Sequence, residues 1–177
     1  MKRVLLVGGL TEEVLRVLGS KKKWTAAIVG VAVMGMFATV ALASHMPVDF
    51  TTTPLATGNL VNPVKLNSDR VKFQTKDPTD VRVQRIVISA GGRSGWHHHP
   101  GIVIVAVASG DVTFTHSDCS SKTYGPTLPN GAVFSEGGDE AGQASSKNGA
   151  IVYATFVAPS ADPPVFRIND HDAPSCP

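Results

Sequence analysis

Charge is sparse in this chain. Of its 177 residues, 16 are Lys or Arg and 14 are Asp or Glu, which is 17% in all and leaves a net +2. The one basic run, Lys21-Lys22-Lys23, lies near the start, so the remainder has no electrostatic footprint for nucleic acid. Cysteine is rarer still, with Cys119 and Cys176 alone and no C-x-x-C to suggest redox work. After Ser44 there is no helical period of useful length, and so no helix to carry an H-E-x-x-H, which is also missing. "GGRSG" contains no G-x-S-x-G for a nucleophile elbow, and the early "VGGL" precedes the apolar segment and makes no phosphate loop.

What the chain does hold begins with "KKKWTAAIVGVAVMGMFATVALAS". A positive run, an uncharged stretch from Trp24 to Ala43 and an Ala41-Leu42-Ala43 finish form the pattern of a secretory signal peptide. At about 20 residues the stretch could also span a bilayer as an uncleaved anchor. Either fate leaves the lysines in the cytoplasm and carries the following domain across the membrane, so the protein is expected to be exported. Residues 1–43 are then an N-terminal extension with signal peptide or anchor helix, and any membrane association runs through that segment alone. In an oxidising compartment the pair Cys119 and Cys176 reads as a disulfide. It would close a loop of about 57 residues, worth roughly 4 kcal/mol in the chain-entropy model.

Residues 44–65, rich in Thr and Pro, read as an extended arm or linker that could add an edge strand. From 66 to 177 short β-like runs alternate with turn residues. "TDVRVQRIVISA" alternates at its start, "GIVIVAVASGDVTFTHS" offers two strands around a Ser109-Gly110-Asp111 hairpin turn, and "NGAVFSEGG" and "AIVYATFVAPS" supply two more. The class is all-β, one domain, a sandwich or barrel.

Three of the six histidines stand together in "GWHHHP". A strand sends alternate side chains to opposite faces, so His97 and His99 point one way and His98 the other. Two imidazoles on one face can grip one ion, or they can simply be solvated on a surface strand. Ile102, Ile104 and Ala106 alternate with Val103, Val105 and Val107, so both faces of the next strand are apolar and it is expected to be buried on both sides or to line an apolar pocket.

"GGRSGWHHHPGIVIVAVASGDVTF" resembles the first motif of the cupin superfamily, small β-barrels of jelly-roll type, with Gly95, His97, His99, Pro100, Gly101 and Gly110 matching in type and spacing. "YGPTLPNGAVFSEGGDEAGQASSKNGAIVYATFVAP" resembles the second. The resemblance implies a metal site of two first-motif His, a Glu four residues on and a second-motif His. Here Val103 stands at the Glu position, and no His occurs between His116 and His171. Alignment by the flanking strands puts Glu140 at the second-motif position, with Asp139 one residue away. The implied set is His97, His99 and Glu140, suited to Fe(II), Mn(II) or Zn(II) with open positions for substrate. Trp96, Val103 and Val105 are expected to line the pocket, whose greasy interior favours a small hydrophobic or aromatic ligand over a sugar. Two functions stay open: a metal-dependent enzyme of oxygenase, isomerase or lyase type, and a non-catalytic cupin with a decayed site that binds a small ligand or serves the cell envelope. Many cupins pair by exchanging edge strands, so a homodimer built through the arm is open to this chain as well.

Overall fold

Alternation builds the longest strands. In β4 (Thr79–Arg93) Ile86 and Ile88 are buried while Val81, Val83, Arg85 and Val87 are only half covered, as a strand with one face to the core requires. The computed structural model describes residues 46–171 and Cys176. The signal or anchor segment read at 24–43 lies outside them. Among the described residues there are twelve strands and no helix.

Strand β1 (Val48–Leu60) pairs antiparallel along β4, from Val48 opposite Arg93 to Leu60 opposite Thr79, with register shifts at Val48/Phe50 and Pro54/Ala56. Pro54, which has no N–H to donate, sits in this edge strand beside the second shift. On the other side of β4 runs β11 (Ala150–Pro159), then β6 (Ile102–Gly110) and β9 (Val133–Gly137), all antiparallel. The opposite wall joins β5 (His97–His98), β7 (Val112–His116), β8 (Ser121–Tyr124), β10 (Gly142–Ser145) and β12 (Ile168–Asn169). β10 links the two walls, since it pairs with β5 and β7 and meets the end of β4 at Ser145 opposite Arg93. The ten strands thus form one nearly closed barrel, while β2 (Lys65–Asn67) and β3 (Lys72–Gln74) make a separate small ribbon. The core inside is aliphatic and aromatic, built on Ile88, Val103, Val105, Val112, Phe134, Val152 and Phe156.

One local expectation is corrected and another is narrowed. Strands flank Ser109-Gly110-Asp111, but they are not a hairpin: both edges of β6 are already taken by β11 and β9, so β7 crosses to pair with β8 and β10. Of the two alternatives for β6, lining a pocket is the one found, through Val105, and its other face is not covered. Val103, Val105 and Val107 are buried, whereas Ile102 and Ile104 are 49% and 48% exposed on the outside of the barrel. The two cysteines do form a disulfide, with Cα atoms 5.4 Å apart, which ties Cys176 to the turn between β7 and β8.

Candidate metal centre

The barrel encloses a cavity of about 390 Å³ whose lining includes His97, His99 and Glu136. His97 and His99 are 5% and 4% exposed, and their rings meet edge-on with centroids 4.8 Å apart. His98, between them, turns the other way and places Nδ1 2.9 Å from Asp170 Oδ1. Strand alternation therefore puts the first and third imidazoles in the barrel and the second at its edge.

The hydrogen bonds of the pair fix which nitrogen is bare. His97 Nδ1 lies 2.8 Å from the Gly95 carbonyl, and His99 Nδ1 bonds the Phe166 carbonyl. A carbonyl oxygen can only accept, so each Nδ1 carries a proton, and in the neutral ring the lone pair is then on Nε2. His99 Nε2 is buried without a hydrogen-bond partner and sits 3.6 Å from Glu136 Oε1. Burial, with Arg167 and His99 nearby, pulls His97 down to about 3, so its ring is neutral at physiological pH. A buried imidazole nitrogen with no hydrogen-bond partner, facing a carboxylate, is a position that a divalent cation would satisfy.

Glu136 reaches the pair through the β6–β9 ladder. It stands directly opposite Val103, the position where the cupin pattern has its first-motif Glu. Directly opposed residues on one sheet face have Cβ atoms about 4.5–5.5 Å apart, so the carboxylate comes from the neighbouring strand to much the same place. Donor atoms of His97, His99 and Glu136 all lie within 4.8 Å of one another. Two imidazoles and one carboxylate make the donor set of a facial triad, which fits Fe(II), Mn(II) or Zn(II).

Glu140, the carboxylate expected from the sequence, is not brought to the pair. Its Oε1 lies 2.9 Å from His116 Nδ1, on the surface. Three consecutive left-handed residues, Gly137, Gly138 and Asp139, reverse the chain just after Glu136 and carry Glu140 away. The strand ends at that turn, so alignment by the flanking strands placed the carboxylate four residues too late. Glu136 shares a face with Phe134 and lies within β9, whereas Glu140 lies beyond its end. Of the expected pocket residues, Val105 lines the cavity, while Trp96 and Val103 are buried but absent from its lining. Trp96 serves the tail instead, its carbonyl accepting from the Asp170 amide at 3.1 Å.

No motif pointed to the cavity's other side chains. Arg82 and Gln84 line it from β4, and Phe166 and Arg167 from the C-terminal segment. Arg167 donates through Nη2 to the Ser94 carbonyl at 2.6 Å and through Nε to Asn169 Oδ1 at 2.9 Å. Its burial brings the guanidinium down to about 10, with Glu136 and Asp170 opposing the shift, so it stays charged.

No family model matches the chain, and no curated protein matches it. The solved structures to which it is similar include cupins. One is a cupin-2 domain from Rhodospirillum rubrum, 13% identical with a TM-score of 0.45, the match covering 68% of this chain and 66% of that one. Another is a cupin superfamily protein from Desulfitobacterium hafniense, 13% identical with a TM-score of 0.43, covering 62% and 77%. A third is the salicylate 1,2-dioxygenase of Pseudoaminobacter salicylatoxidans, 12% identical with a TM-score of 0.37; the match covers 42% of this chain and 19% of the dioxygenase. Likenesses this distant accompany the fold reading, which rests on the strand pairing itself.

Proposed function

We propose that the protein is an exported cupin that holds a divalent metal ion on His97, His99 and Glu136 and acts there on a small, fairly apolar substrate. The observation that carries this is the pair of imidazoles whose Nδ1 protons are tied to the Gly95 and Phe166 carbonyls, with His99 Nε2 left without a partner 3.6 Å from Glu136 Oε1 and donor atoms of all three residues within 4.8 Å of one another. When bound, such an ion supplies Lewis acidity and open positions for a substrate oxygen. The chain's own residues do the rest: the two carbonyls hold the rings in one tautomer, and Phe134, Phe156 and Val105 keep water from the cavity. Oxygenase, isomerase and lyase chemistry all suit that arrangement. Export is supported by the Cys119–Cys176 bond, which belongs to oxidising compartments.

One feature favours the second reading, a non-catalytic binder. Among the described residues Glu136 is the one carboxylate in the cavity lining, so a metal-ligating Glu136 leaves no separate carboxylate base.

The test is elemental analysis of the chain purified without an affinity tag, beside His97→Ala/His99→Ala, Glu136→Gln and Glu140→Gln. Near-stoichiometric Fe, Mn or Zn is expected in the parent and in Glu140→Gln, with none in the double His variant. Glu136→Gln is expected to lower affinity by at least about tenfold, the scale on which even outer partners of a site matter. Parent protein that takes up no added Fe(II), Mn(II) or Zn(II) sinks the metal reading.

A further inference from the structure

The cavity's charges do not balance. Its lining holds two guanidiniums, Arg82 and Arg167, against the single carboxylate of Glu136. Among the described residues neither guanidinium has a carboxylate oxygen within 4.0 Å: the ion pairs are His98 with Asp170, His99 with Glu136 and His116 with Glu140. Both arginines are half-buried, and charged groups are seldom taken out of water without a partner. A divalent ion on the triad would make the excess of positive charge larger.

Both arginines are also held in place. Arg167 is fixed by the Ser94 carbonyl and Asn169, which leaves its remaining N–H groups for another acceptor. Arg82 lies with its guanidinium carbon 4.1 Å from the centroid of the Phe166 ring, and its Nε donates to Thr57 Oγ1 at 3.3 Å. The Phe166 ring that carries Arg82 also lies beside Phe156, with centroids 6.1 Å apart, and the next residue in the chain is Arg167. Val105, Val112 and Ile86 add apolar lining. Fixed donors set among apolar walls describe a site for an amphiphilic anion. A cavity of about 390 Å³ is at the small end for a ligand site, which limits that body to a ring or a short chain.

We infer that the cavity takes a small organic acid, its carboxylate received by Arg167 and Arg82 and its ring or chain lying against Phe156 and Phe166. This rests on the reading above in naming a substrate class for the same cavity, yet the arginines are independent of the ion. A neutral substrate such as a sugar or an amide would leave both guanidiniums unpaired.

The experiment is isothermal titration of the full chain with benzoate and hexanoate beside their uncharged counterparts benzamide and hexanamide, in metal-free protein and again with added Zn(II). The acids are expected to bind at least about tenfold tighter than the amides in both preparations, the scale of a hydrogen bond to a charged group. Arg167→Gln and Arg82→Gln are expected to bring the ratio toward one while leaving Zn(II) uptake in place. Equal binding of acid and amide, or no binding of either acid, overturns the inference even where Zn(II) is bound. A preference for acids in protein that binds no metal upholds it and defeats the metal reading alone. The parent ratio decides the matter, so an arginine variant that fails to fold leaves the test intact.

Discussion

At the scale of single residues, the site depends on keeping an imidazole uncharged. His97 is neutral in the folded chain down to about pH 3, but an unfolded chain takes the proton near 6.5. As pH falls through that window the unfolded state binds the proton and the native state does not, so stability is complete above 6.5 and is lost toward 3. The slope for one such group is about 1.4 kcal/mol per pH unit. Urea unfolding of metal-free protein is therefore expected to show a loss of about 2 kcal/mol between pH 6.5 and pH 5. His97→Asn should flatten that part of the profile; an unchanged slope in the variant would show that other groups set it. Pairs such as His97 and His99 were readable from the sequence because alternation is local: two positions of one parity share a face wherever the strand is regular. Glu136 and Glu140 have the same parity, so parity could not choose between them. The choice was made by the left-handed backbone at Gly137, Gly138 and Asp139, a property of the turn rather than of the strand.

At the scale of elements, the strands with clear alternation, β4 and β11, were legible as strands, but which strands pair was not. β7 follows β6 by one residue and still belongs to the other wall, because the pairing edges of β6 are filled from distant segments. The C-terminal segment was the least legible. Strand β12 has only two residues, too few to show a period, and its neighbour Phe166 acts on His99 across 67 positions of sequence. Close packing of elements also sets the seat of the imidazoles. A Cβ added at Gly101 would lie 2.1 Å from the Val157 carbonyl oxygen and 2.8 Å from Ala158 Cα, both backbone atoms of β11 that cannot swing aside. Gly101→Ala is expected to cost about 1–3 kcal/mol by overpacking and to weaken metal uptake, because it displaces the chain two residues beyond His99. Urea unfolding and elemental analysis of the same sample check both halves of that expectation.

At the scale of the whole molecule, the disulfide and the tail act together. The bond between Cys119 and Cys176 spans 57 positions and anchors the end of a segment that gives the cavity Phe166 and Arg167 and gives His98 its partner Asp170. Closing a loop of that length is worth about 4 kcal/mol in the chain-entropy model, so Cys119→Ser or a reductant should lower the urea midpoint accordingly. Metal uptake should weaken as well, because the Phe166 carbonyl that orients His99 is then held by its strand contacts alone. Full retention of both in reduced protein would mean that the tail seats itself without the tether. The ladder that sets Val103 against Glu136 has a different kind of consequence. A pattern that reads ligands by their spacing along the chain finds Val103 where an acid should be and scores the site as broken. Measured across the rungs, an acid stands one strand sideways from that position, while the second-motif His still has no counterpart. Val103→Glu with Glu136→Val would be a move within one rung, a hint that such sites can migrate between strands while the set of donors offered to the cavity stays the same.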